Sequence, residues 1–144
     1  METEENKRLV RRYLEEVVST GDVSRIAEFV SPAYVEVHEG RRFPLGLEGA
    51  RDHVLGVRRT YPDLVIEVGL QLAEGEWVAT SVVARGTHLG EWLGIAPTGK
   101  VLAFTGVNLD RVAGGRIVEH GGAANLLGPL LDVGAVRPAR GDGG

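Results

Sequence analysis

GKVLAFTGVNLDRVAGGRIVEHGGAANLLGPLLDVG, residues Gly99 to Gly134, is the stretch whose reading decides the fold. Two β-rich runs, Lys100–Val112 and Arg116–Ala123, flank Gly114-Gly115. Paired glycines between such runs fit the two-residue turn of a β-hairpin. A plain two-residue loop sets Ala113 opposite Arg116, Asp110 opposite Glu119, Asn108 opposite Gly121 and Phe104 opposite Asn125. Directly paired residues share a face. One face is therefore expected to carry Phe104, Gly106, Asn108, Asp110, Glu119, Gly121, Ala123 and Asn125. The other carries Ala103, Thr105, Val107, Leu109, Arg111, Val118 and His120. The first face is polar, small and aromatic, which suits a pocket wall better than a packed core.

Upstream, residues 4–19 repeat apolar positions at helical spacing, with Leu9, Val10, Tyr13, Leu14, Val17 and Val18 on one face. Gly21 suits the stop, and Asp22 suits the cap of a short helix over Val23–Val30 with Ile26 and Phe29 inward. Ala33–His38 alternates as a short strand, and a basic loop with Arg41 and Arg42 follows. A helix is expected over 47–61, then strands Leu64–Leu72 and Trp77–Gly86 joined at Glu74-Gly75. Thr87–Thr98 reads as a loop carrying His88, Glu91 and Trp92. After the hairpin come a helical turn at Leu126–Leu131 and a tail from 138 to 144, RPARGDGG in its wider context, too rich in glycine and charge to pack. Helices gathered on one face of a curved antiparallel sheet make an α+β cone enclosing a pocket, one domain over 1–137.

FTGVNLDRVAGGRIVEH followed by LLGPLLDVGAV resembles the C-terminal half of the SnoaL-like polyketide cyclases, within the nuclear transport factor two-like superfamily. NKRLVRRYLEEV, GLEGARDHV, YPDLVIEV and GTHLGEWLGIAPTGK are similar to the same family in the same order, from about residue 5 to 136. The resemblance implies a cofactor-independent enzyme that closes a ring in a polyketide-like molecule by intramolecular aldol condensation. Epoxide opening or hydrolysis on the same fold, and non-catalytic binding of an apolar metabolite, stay open beside it.

Composition bounds the partners. The 144 residues are 43% hydrophobic and 25% charged with a net charge of −4, which gives no electrostatic reason to expect nucleic acid. There is no cysteine, so disulfides, thiol catalysis and zinc-thiolate sites are excluded. No apolar run approaches the roughly 18 residues of a membrane span. METEENK is acidic with no apolar segment after it, so a cytoplasmic protein is expected. The four histidines are not at paired helix spacing, and no metal or cofactor is expected.

His38, at the end of its strand, is the candidate general base, or else a solvent-exposed histidine beside Glu39. The resemblance implies a histidine near Asn108 and an aspartate near Asn125. Here both are amides, able to donate hydrogen bonds to an enolate oxygen but not to titrate. Asp110 and Glu119 are expected as a facing carboxylate pair, near enough to the turn to be a solvated rim. His120 follows strand parity to the opposite face, as an interface or core histidine, unless a bulge flips the register. Gly121 and Gly122, where the family pattern begins with a Trp, either widen the pocket or permit such a bulge. Tyr13, His53, His88, Trp92, Phe104 and His120 are the candidate substrate-binding residues. Val107 and Leu109 on the uncovered sheet face point to a homodimer.

Overall fold

The computed structural model describes residues 2–139. The chain opens with helix α1, Glu2–Tyr13, which runs on into a π-helical turn, Leu14–Val18. Val10, Leu14 and Val17 are its buried stripe, as the spacing predicts. The helix stops at Gly21, whose φ of +77° is a conformation that glycine adopts at little cost. The Asp22 carboxylate then accepts from Ser24 N at 3.1 Å and caps a 3₁₀ helix, Val23–Glu28, with Ile26 and Phe29 buried.

Strand β1, Val30–His38, turns through Glu39 and Gly40, both at positive φ, into β2, Arg41–Pro44. This second strand replaces the expected basic loop. A glutamate at the first turn position hides the hairpin, because that place usually carries Asn, Asp or Gly. Helix α2, Gly46–Thr60, follows, then β3, Val65–Glu74, and β4, Trp77–Thr87. The loop from 88 to 100 leads to β5, Val101–Ala113, β6, Arg116–Ala124, and α3, Leu127–Asp132. Gly114 and Gly115 turn the hairpin at φ of +60° and +74°.

The six strands form one sheet in the order β2-β1-β6-β5-β4-β3, antiparallel except where β1 meets β6. Register shifts interrupt the β1–β6, β3–β4 and β5–β6 ladders. Each irregularity bends and twists its strand, which lets the sheet curl over the helices. The main core joins Val10, Leu14 and Val17 of the first helix to Ile26, Phe29, Ala50, Val54, Val78, Val112 and Ile117. A second cluster, Tyr61, Leu64, Ala84, Leu102 and Leu130, closes the other end. Arg58 ties helix to helix by donating to the Val18, Leu64 and Pro62 carbonyls.

The helices cover one face of the sheet. On the other, Val65, Leu70, Leu72, Val107 and Leu109 are exposed, Leu70 to 66%. Among the described residues no helix is long and apolar enough to cross a membrane. Of the expected tail, Pro138 and Ala139 are exposed and outside any regular element, and 140–144 lie outside the described residues.

Candidate active site

The hairpin departs from the plain register two pairs from its turn. Ala113 pairs with Arg116 and Val112 with Ile117, but Arg111 then pairs with Glu119, leaving Val118 as the extra residue of a bulge. Every residue of β6 beyond it changes partner. Asp110 faces His120, Leu109 faces Gly121 and Asn108 faces Gly122. The expected face for β5 stands, and the expected face for β6 is reversed. His120 joins Asp110 and Asn108 on the helix side, while Glu119, Gly121, Ala123 and Asn125 turn outward.

Asp110 and Glu119 are accordingly no carboxylate pair and no solvated rim: both are buried, on opposite faces. Glu119 is held outside by Arg42, with Arg111 at 3.7 Å. Asp110 accepts from His120 Nδ1 at 2.6 Å, with side-chain exposures of 4% and 24%. Burial alone would lower the His120 pKa. The charge and hydrogen bond of Asp110, helped by Glu36, outweigh it and hold the imidazole above its ordinary value.

Glu36 of β1 is the register partner of His120. One row therefore crosses three strands, Glu36, His120, Asp110, on the side of the sheet that the helices cover. From α2, His53 brings Nδ1 to 3.3 Å of Glu36 Oε1. Burial, and the neighbouring His120 charge, push His53 below its ordinary pKa, against the pull of Glu36. Tyr13 from the first helix and Tyr34 from β1 complete the group. Burial raises both phenols well above the ordinary range, with Glu36 and Asp110 adding to it, so they stay neutral hydrogen-bond donors. Exposure grades outward from Asp110 through Glu36, at 17%, to His53, at 46%, so solvent reaches the cluster from the His53 side.

Beyond the dyad the wall is small. Gly122, at φ +139°, sits so near β5 that an added Cβ would meet Val107 O at 2.2 Å. Gly121 approaches β1 on the outer side, its hypothetical Cβ at 3.1 Å from Val37 O. The glycines therefore allow close strand approach, and the bulge itself falls earlier, at Val118.

The remaining candidates scatter. His38 ends β1 with a 74% exposed side chain, 3.8 Å from Glu39, outside the cluster. Asn125 and Asn108 do not share a face. Asn125 donates to Thr105 Oγ1 at 2.8 Å on the outer side, beside a hollow of about 450 Å³ lined by Glu67, Ser81, Val83 and Val107. That hollow is separated from the ionisable cluster by the sheet. His88 is buried under the 88–100 loop, its Nδ1 3.2 Å from Thr98 Oγ1 and its ring against Tyr61. Phe104 also packs against Tyr61, and Trp92 lies exposed on the loop. Of the sequence candidates, the fold gathers Tyr13, His53, Asp110 and His120, with Asn108 one step along β5. Tyr34 and Glu36 were missed. Their signal is strand alternation in Ala33–His38, which sets both on one face with a carboxylate between apolar neighbours.

Comparison with known proteins agrees with this architecture. A family model described as SnoaL-like polyketide cyclase matches residues 8–133. The aklanonic acid methyl ester cyclase AcmA of Streptomyces galilaeus is 30% identical over 114 residues, 77% of this chain and 78% of that protein. Among solved structures, AclR of Streptomyces galilaeus superposes with a TM-score of 0.79 at 27% identity, over 94% of this chain and 99% of its own. IdmH of Streptomyces antibioticus does so with a TM-score of 0.75 at 29% identity, over 90% and 98%.

Proposed function

The chain belongs to the SnoaL-like polyketide cyclase family, and on that premise we propose that it closes a ring in a polyketide-like small molecule by proton transfer alone. The observation that carries this reading is the Asp110–His120 dyad, a 2.6 Å contact between a buried carboxylate and an imidazole on the helix-covered side of the sheet. An aldol closure needs a proton removed alpha to one carbonyl, and a proton or hydrogen bond supplied to the oxygen of another. Asp110 fixes the orientation of the His120 ring and leaves Nε2 for the reacting molecule. Tyr13, Tyr34 and Asn108 are the neutral donors on the same side of the sheet. The chemistry moves protons and no electrons between molecules, so it asks for no redox cofactor.

The same reading includes a cytoplasmic homodimer. Its support is the exposed apolar face of Leu70, Leu72, Val107 and Leu109, with His120 now excluded from that face. Apolar patches of this kind mark interfaces.

Aklanonic acid methyl ester is the first substrate to test, since AcmA is named for it. Ring closure yields an isomer of unchanged mass, which chromatography with NMR resolves. His120→Gln is expected to lower turnover by about 10²–10⁴, the usual contribution of a positioned acid or base. Full activity in that variant refutes the dyad. Tight binding with no turnover in the unsubstituted chain favours the binding-domain reading.

A further inference from the structure

Two carboxylate–histidine contacts meet in the cluster, and the ring-closing reading uses only one. We propose that the histidines divide the proton work: His53 removes the proton alpha to the attacking carbonyl, and His120 protonates the oxygen of the carbonyl that is attacked. This rests on the ring-closing function argued above and names the base it leaves open.

Geometry separates the two rings. His120 lies in a row between two carboxylates, Asp110 at 2.6 Å and Glu36 as its partner across the β1–β6 ladder. A quarter of its side chain meets solvent. An imidazole so placed holds its second proton. His53 comes from a different element, α2, and is nearly half exposed. Among the described residues its only close carboxylate is Glu36, at 3.3 Å, which His120 already faces. A second positive charge over the same carboxylate is opposed by the first, so the pair carries one extra proton and His120 has it. The other ionisable groups of the cluster, Tyr13 from the first helix and Tyr34 from β1, are neutral phenols and do not compete for it. The directions of the two imidazole pKa values agree, His53 lowered and His120 raised. Neighbouring titratable groups pushed apart in this way are the mark of a base and an acid in one site.

The step balances without a further reactant. The His53 Nδ1–H is held toward Glu36, which leaves the Nε2 lone pair to take the carbon-bound proton. The electrons of that C–H bond form the enolate, whose carbon attacks the second carbonyl. The π pair of that carbonyl passes to its oxygen, and the oxygen takes the proton from His120 Nε2. One C–C bond is made, and the positive charge has moved from His120 to His53. Each ring returns to its starting state by exchange of the Nε2 proton with solvent, which reaches the cluster from the His53 side.

The first test is NMR titration of the imidazole nitrogens in the full chain, with His38→Gln removing one of the exposed signals. The expected order is a His53 midpoint below that of His120. Asp110→Asn is expected to lower the His120 midpoint and raise that of His53, as the repulsion between them is relieved. A His53 midpoint above that of His120, or both moving the same way in Asp110→Asn, overturns the assignment. The second test follows exchange of carbon-bound hydrogen of aklanonic acid methyl ester in D₂O, apart from ring closure. His53→Gln is expected to lose at least 100-fold in both exchange and closure. His120→Gln is expected to keep exchange within about tenfold while closure falls by 10²-fold or more. The opposite pattern overturns the division of labour. The expected NMR order with neither exchange nor closure in the unsubstituted chain instead overturns the ring-closing function, so the two failures are distinct.

Discussion

Asp110→Asn tests the dyad through folding stability, with no substrate required. Asparagine keeps the size of the side chain and an oxygen that still accepts from His120 Nδ1, and it removes only the charge. In the folded chain His120 is raised above its ordinary pKa, because Asp110 and Glu36 outweigh the effect of burial. A base raised on folding adds stability that is fully present below its unfolded pKa of about 6.5. That stability is lost as pH rises through the folded value. Removing the carboxylate leaves burial to act against a charged ring, so the cost falls on the acid side. Breaking a buried pair costs about 3–5 kcal/mol. A quarter of the His120 side chain meets solvent, so the lower end applies, about 3 kcal/mol near pH 5.5. Above the folded value the ring is neutral in both proteins and one buried carboxylate has gone, so there the difference should fall within about 1 kcal/mol. Urea midpoints at matched m-values across this range measure it. A difference that is flat with pH, or that grows toward alkaline pH, refutes the reasoning.

Three further outcomes are expected. Arg58→Met removes the donor to the Val18, Leu64 and Pro62 carbonyls, and should cost about 2 kcal/mol in denaturant titration. An unchanged midpoint would show that water replaces all three bonds. Leu109→Glu places a charge on the exposed apolar sheet face, and should convert the proposed dimer to monomer in light scattering without shifting the pH profile of activity. A monomer already present in the unsubstituted chain at micromolar concentration refutes the interface. A chain ending at Arg137 should keep its Tm within error, and a drop of several degrees would show that the tail docks on the body.

The sequence by itself determined the elements, β2 excepted. Helical spacing of Val10, Leu14 and Val17, the Gly21 stop with its Asp22 cap, and the Gly114-Gly115 turn are local signals, set by interactions within a few residues. Each appears in the folded chain at its expected place. The collinear resemblance then supplied the family and its cone. What only the tertiary structure decided is which side chains meet. Strand faces have a period of two, so a single extra residue at Val118 turns the rest of β6 over. That one residue moves His120 from a presumed interface to Asp110, sends Glu119 and Asn125 outside, and dissolves the expected carboxylate pair. No local preference of Ile117-Val118-Glu119 announces the bulge; the register is settled by what each face buries against. Glu36 and His53 are further from legibility still, 17 positions apart in the chain and brought to 3.3 Å by the packing of α2 on β1. Contacts of that kind belong to no segment, because the elements that make them are placed by the whole core.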